Sequence, residues 1–384
     1  MKPNQTLGLQ DVTGFLTGLF AGDLHAKRVL SLASATLGVV RTASLAVNTI
    51  GHGLALARGL VTKHAIKQVD RLLSNPAFNV WELFAHWVPY VLGASREIVV
   101  ALDWTDFDAD GHSTIALYLV TAHGRATPLL WMSVKKAQLK GRRNEYEDTV
   151  LLRFHEVLPP GVKVTVLADR GFGDQGLYEF LTDLGFAFII RFRGVVTVES
   201  GDGEARSGHQ WVPANGRIKQ VKDARVTADR YRIDSVVCVK ARGMKDAWCL
   251  AVGGTPLTGA TAVKLYARRF TIEETFRDTK DPRYGLGLSA THVRDVRRRD
   301  RLLLICAMAM TLLTLLGAAG ESLGMDRMLK ANTVKTRTHS LFRQGCHYYA
   351  SIPAMKQNLL APLVQRFGEY VLREPVYVHA FSLQ

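Results

Sequence analysis

The chain has 384 residues, 47% of them hydrophobic, with 33 Gly and 12 Pro. That balance excludes collagen-like, low-complexity and disulfide-scaffold classes and leaves ample length for two or three units with a real core. Lys plus Arg outnumber Asp plus Glu by 49 to 34, a formal charge of +15, which favours a polyanionic partner such as nucleic acid or an anionic membrane surface.

Met1 to Gly14 lacks a basic segment followed by an apolar one, so no secretory signal is expected. No repeat of twenty to fifty residues is visible, which disfavours solenoids and propellers. Residues 12–95 read as helical, and residues 1–95 as a helical N-terminal region. Within it Lys63, Lys67 and Arg71 recur at i, i+4 spacing on one side of a helix. Such a series either faces phosphates or forms an ordinary solvated face.

From Glu97 the pattern changes to short apolar runs rich in β-branched residues: Glu97 to Asp103, Ser113 to Thr121 and Thr127 to Val134, a three-strand meander. A helix over Asn144 to Val157, a strand over Lys163 to Asp169, a helix near Gln175 to Leu184 and a strand over Phe186 to Arg191 follow. This order predicts an α/β layered core with a mixed sheet, its first part spanning residues 96–193. Residues 194–257 read as a β-rich insertion, and helix resumes from Gly259 to Asp281, where Pro282 stops it. The core would close over residues 258–322, leaving a helical C-terminal region over 323–384. Leu302 to Gly320 carries no charge and is long enough to span a membrane. Its dilution by Ala, Thr, Gly, Cys and Met, and its isolation, favour a helix buried on all sides. Cys238, Cys249, Cys306 and Cys346 form no Cys-x-x-Cys pair and no short Cys/His spacing, so reduced thiols of a cytosolic protein are expected and a zinc site is not.

Two of the strands end in an acid. If the strands of Asp103 and Asp169 are neighbours, both carboxylates sit at one edge of the sheet, where they would hold a hard cation; taken alone, each reads better as the cap of a turn or of the next helix. On the helix from Gly259 to Asp281, the spacing of Tyr266, Arg269, Glu273 and Lys280 places all four within an arc of about 60°, with Arg277 beside them. Leu265, Ile272 and Phe276 form an adjoining apolar stripe that would dock on the sheet.

The spacing Tyr266-x2-Arg269-x3-Glu273-x6-Lys280 resembles the signature of bacterial insertion-sequence transposases of the RNase H-like, DDE type. Four fixed identities would arise by chance in roughly one chain of this length in 400. The order agrees too: an acid in ALDWTDF, a second in ADRGFGD, and a Glu on a later helix beyond a β insertion. The resemblance covers roughly residues 60–320 and includes the segment Lys63 to Asn75. It implies that Asp103, Asp169 and Glu273 bind two Mg²⁺ or Mn²⁺ ions for strand cleavage and strand transfer at the ends of a mobile element. It further implies that Tyr266, Arg269 and Lys280 hold phosphates of the element end. The expected partners are terminal inverted repeats, target DNA and a second copy of the chain in the synaptic complex, with no membrane and a location in the bacterial cytoplasm at the nucleoid. In this family the insertion lies over the site and one of its aromatics stacks on a flipped base. Trp248 is placed for that role and Trp211 is a second candidate, although Leu250 and Val252 alternate with Trp248 as they would in a packed strand. Some members carry Trp after the signature Arg; this chain has Phe270, which could wedge into a base step but not donate a hydrogen bond.

Two other readings compete. An inactive or domesticated DNA-binding protein would keep the fold and charge, but unneeded carboxylates facing phosphate would be repulsive without metal. Gly320-Glu-Ser322-Leu-Gly324, with Asp326 and His339, His347 or His379 downstream, fits a hydrolase nucleophile elbow. The elbow, however, needs a strand before the Ser, and Ser322 follows a long run that reads as helix.

Overall fold

Three apolar runs open the middle of the chain, and they pair in sequence order. In the computed structural model, which describes residues 8–372, β1 (Glu97–Phe107) pairs antiparallel with β2 (His112–Leu119), and β2 with β3 (Thr127–Lys135). Every residue of β2 is buried, as expected of a strand covered on both faces. On the other side of β1, β4 (Lys163–Ala168) runs parallel with Leu102 opposite Ala168, and β5 (Ala187–Arg191) runs parallel to β4. Parallel neighbours need crossovers, and α6 (Arg143–Val157) and α7 (Gln175–Asp183) provide them. Asp174 caps α7, its carboxylate accepting the Leu177 N–H at 3.0 Å. Three antiparallel strands continued by two parallel ones, with helices on the faces, form the mixed sheet of an RNase H-like fold.

The insertion prolongs this sheet. It supplies β6 (Thr197–Glu199), β7 (Ala205–Ser207), β8 (Lys219–Lys222), β9 (Arg225–Val226), β10 (Tyr231–Arg232), β11 (Ser235–Val239) and β12 (Trp248–Gly253). β12 adds antiparallel to β5, giving one eight-stranded sheet in the order β3-β2-β1-β4-β5-β12-β11-β8. The remaining four strands form a small second sheet in the order β10-β9-β6-β7.

The single helix expected from Gly259 to Asp281 is instead two, α8 (Gly259–Ala267) and α9 (Phe270–Lys280). At the joint the backbone tightens: Arg268, Arg269, Thr271 and Ile272 each donate to the carbonyl three residues back, at 2.9–3.0 Å. α9 ends where Pro282 requires, with Asp281 in an extended conformation.

Helices α1 (Leu9–Phe20), α2 (Ala26–Thr42), α3 (Val47–Arg58), α4 (Thr62–Ser74) and α5 (Val80–Leu92) precede the sheet; α10 (Val296–Ser322), α11 (Leu341–Ser351) and α12 (Gln357–Leu372) follow it. Among the described residues α10 is the one helix that alone is long and apolar enough to cross a membrane, while α2 and α3 pass only as a pair bent by 96°. Every residue of α10 from 301 to 317 is buried, against α2, α4, α11, α12 and β3; this is the core helix expected. α10 and α11 cross at backbone contact: a Cβ on Gly317 would lie 1.9 Å from the Leu341 carbonyl oxygen, and one on Gly345 would lie 1.8 Å from that of Leu313.

The same region disposes of the hydrolase motif. Gly320 gives room to the Tyr348 ring, Ser322 donates to the Ala319 carbonyl at 2.8 Å, and Gly324 closes the helix with a φ of 74°. All three positions serve a helix end, and no strand precedes the Ser. His379 lies outside the described residues, as do Met1 to Leu7 of the segment read for a secretory signal.

Candidate active site

β1 and β4 bring the two strand-end acids together. With Leu102 opposite Ala168 in parallel register, Asp103 and Asp169 are the next positions on adjacent strands, at the edge where β4 gives way to a loop. Asp103 is steadied by its neighbour, the Trp104 N–H donating to Oδ1 at 2.9 Å. Asp169 folds the start of its loop by accepting the Gly171 N–H on Oδ1 at 2.7 Å. Two residues on, a Cβ at Gly173 would sit 2.9 Å from the Arg191 carbonyl oxygen and the Phe192 Cα. Glycine there lets the loop lie against the end of β5.

The α8–α9 joint delivers a cation to these acids. Arg269 is 4% exposed; its Nη1 is 3.0 Å from Asp103 Oδ2 and its Nη2 is 2.5 Å from Glu273 Oε1. One guanidinium therefore bridges the strand acid and the helix acid. Burial pushes the Asp103 carboxyl up to about 6; Arg269 pulls against that shift, and the like charges of Asp169 and Glu273 add to it. Burial works against the charged form of Arg269, but Tyr266 and the two carboxylates hold its pKa above the ordinary value. Among the described residues no three His, Cys, Asp or Glu side chains close into a metal-binding group. Asp103 and Glu273 meet on the guanidinium instead.

An aromatic wall stands behind Arg269. Its guanidinium carbon lies 4.8 Å from the Phe270 ring centre. Trp248 meets Tyr266 edge-on at 4.9 Å and Phe270 at 6.0 Å. Tyr266 is 1% exposed, and burial carries its hydroxyl up to about 12. Trp211 is different: it is buried within the insertion and its indole N–H donates to the Val198 carbonyl at 3.2 Å, which removes it as the second stacking candidate.

Lys280 sits further along β1, donating to Thr105 Oγ1 at 3.2 Å and to the Asp106 carbonyl at 2.6 Å. Burial lowers its pKa. Arg277 is exposed and paired with Glu274. Lys63, Lys67 and Arg71 are exposed on α4, whose opposite face buries Ala65, Val69, Leu72 and Leu73 in the helical core. The structure thus brings Asp103, Asp169, Arg269, Glu273, Tyr266 and Trp248 to one place, with Lys280 along the strand and the α4 series on a separate element.

One contributor escaped the sequence reading. Glu147 of α6 is 3% exposed and accepts the Trp104 indole N–H at 2.7 Å; burial raises its carboxyl to about 7. It thereby fixes the residue that holds Asp103, and Arg143 lies over the Trp104 ring at 5.0 Å. The signal was present: Glu147 occupies an apolar stripe with Val150, Leu151, Phe154 and Val157, where an acid has no reason to lie unless it is partnered.

No individual curated relative matches the chain. A family model described as "Transposase DDE domain" matches residues 94–312, more than half of the 384, from just before β1 into the middle of α10. With a mixed sheet in RNase H-like order and paired acids at its edge, the chain belongs to the DDE-domain transposase family.

Proposed function

We propose that the chain cuts DNA strands at the ends of an insertion sequence and joins them to target DNA, using Asp103, Asp169 and Glu273 to hold two divalent cations, Mg²⁺ or Mn²⁺. The observation that carries this reading is the adjacency of Asp103 and Asp169 on β1 and β4, with Glu273 tied to Asp103 through one guanidinium. The site's chemistry fits hard cations. Its donors are carboxylate oxygens, burial and then the like charges of Asp169 and Glu273 raise Asp103, and the positive charge they attract is supplied by Arg269. When bound, such ions activate a water or a DNA 3′-hydroxyl and stabilise the leaving oxygen of an in-line displacement.

The chain's own residues then have distinct tasks. Trp104, held by Glu147, fixes the rotamer of Asp103. Arg269, once its carboxylates are otherwise neutralised, turns its two N–H pairs to the oxygens of the scissile phosphate, which a guanidinium grips bidentately. Lys280, and Tyr266 after local opening, hold flanking phosphates, while the half-buried Trp248 offers its free face to a base. Lys63, Lys67 and Arg71 of α4 contact the DNA away from the cut, and two copies of the chain pair two element ends.

Cleavage of a duplex carrying one end of the chain's own element, with and without Mg²⁺, tests this reading. Asp103→Asn, Asp169→Asn and Glu273→Gln should each abolish cleavage while DNA binding stays measurable. Near-wild-type cleavage by any of them would remove that residue from the site, and cleavage without a divalent ion would overturn the reading.

A further inference from the structure

The acidic pair occupies only part of its sheet edge. With Ala168 opposite Ile190, Asp169 has Arg191 as its neighbour on β5, so the edge passes from two carboxylates to a guanidinium within three adjacent strands. A pocket of about 600 Å³ opens there, between the loop that follows Asp169 and the insertion, and Arg170, Arg193, Lys240, Lys245 and His209 line it. Its one acid, Asp246, lies 3.7 Å from Arg191. Gly194 makes the space: a Cβ there would lie 2.5 Å from the His209 ring.

Apart from that pair, the charge in this pocket is uncompensated. Elsewhere on the insertion Arg225 and Arg230 pair with Glu199, Arg206 with Glu204, and Arg232 with Asp223. Arg170, Arg193, Lys240 and Lys245 are exposed and have no ion pair among the described residues. Like charges gathered around a concavity focus a positive potential outward, and they are stable together when an anion enters. An anion there would lie beside whatever occupies the acidic site, because Arg170 follows Asp169 directly in the chain. A strand's phosphodiester backbone satisfies this, being one anion per nucleotide along a connected path.

We infer that this pocket holds phosphates of the same DNA strand next to the bond cut at Asp103 and Asp169, so that the insertion sets where along the strand the cut falls. The inference rests on the proposed action on DNA. The pocket variant is Lys240→Ala/Lys245→Ala; Lys240→Arg/Lys245→Arg keeps the charge. The control is Arg96→Ala/Lys163→Ala, which removes equal charge at the opposite ends of β1 and β4. Binding of a fluorescein-labelled duplex carrying the element end is followed by anisotropy over a range of KCl concentrations. Each lost phosphate contact flattens the log-log salt slope by about 0.9, so the pocket variant should lose about 2. The control and the Arg variant should keep the wild-type slope.

An unchanged slope in the pocket variant, or an equal loss in the control, overturns the inference while leaving the cleavage reading standing. A wild-type protein that neither binds nor cuts the duplex sinks both. AMP binding by the wild type without DNA, lost in the pocket variant while its DNA slope is unchanged, would make the pocket a free-nucleotide site and overturn the inference.

Discussion

Arg269 is where the interplay of charge and metal can be weighed. Its contact with Asp103 joins a side chain 5% exposed to one 15% exposed at 3.0 Å, a charge-assisted hydrogen bond worth about 1.5–3 kcal/mol net. Its contact with Glu273 involves a carboxylate 50% exposed, so solvent screening leaves about 1 kcal/mol or less. Arg269→Met keeps the stem and removes the charge. In the metal-free protein it should cost roughly 2–3 kcal/mol, because Asp103 is left buried with Asp169 and Glu273 beside it. The same sum is no longer spent on displacing a guanidinium when a cation enters, so Mn²⁺ should bind about 30- to 150-fold more tightly. Calorimetric titration of Mn²⁺ into DNA-free protein reads the affinity directly. Thermal unfolding should show the variant less stable than wild type without metal and closing that gap as Mn²⁺ rises. Unchanged or weaker Mn²⁺ binding by the variant would refute the view that Arg269 occupies the place of a cation.

Four further outcomes follow from particular contacts. Gly345→Ala puts a Cβ 1.8 Å from the Leu313 carbonyl, a clash with backbone that no rotamer relieves, so it should cost at least about 2 kcal/mol. Gly14→Ala in α1, where a Cβ meets nothing within 4 Å, should be neutral or stabilising by up to about 1 kcal/mol; chemical denaturation of both variants checks the contrast. Burial lifts the Asp300 carboxyl from 3.8 to about 7. Its folded pKa is thus above its unfolded one, and the stability it confers is full below 3.8 and lost as pH rises through about 7. Asp300→Asn should therefore raise Tm at pH 8 relative to wild type and give no such gain at pH 4; a pH-independent difference would contradict this. Stacking of Trp248 on a base, worth about 1–3 kcal/mol, predicts that Trp248→Ala slows the step after first-strand nicking about 5- to 150-fold while nicking and Tm persist. A loss of about 3 kcal/mol in stability, with every step failing together, would place the ring in the core instead.

The sheet and its acids were legible because their signals are local. Glu97 to Asp103 and Lys163 to Asp169 are apolar runs closed by acids, the intervening helix is long enough for a crossover, and a parallel pairing then sets Asp103 beside Asp169. Pro282 stopped α9 as its ring requires. What stayed hidden depends on residues far apart in the chain. The joint at Arg268 and Arg269 breaks a pattern whose helical period is continuous in sequence; the two contacts that hold Arg269 there include one to Asp103, 166 positions away. The pairing of β12 with β5 is likewise non-local, so the insertion read as a β-rich stretch of its own when three of its strands, β12, β11 and β8, continue the core sheet. α10 read as a buried helix but kept a membrane alternative for a related reason: a membrane and a protein core ask for the same apolar surface. Only its contacts with α2, α4, α11, α12 and β3 decide between them.

The assignment of metal ligands is tested most directly by changing one ligand's chemistry and asking whether a different ion restores the cut. Asp169→Cys places a thiolate where a carboxylate stood, and a thiolate suits Mg²⁺ poorly but is better tolerated by the softer Mn²⁺. Strand cleavage by this variant should be lost in Mg²⁺ and recovered in Mn²⁺, with DNA binding unchanged in both, while Asp169→Asn stays inactive in either ion. Cleavage by Asp169→Cys at the wild-type rate in Mg²⁺ would contradict the assignment.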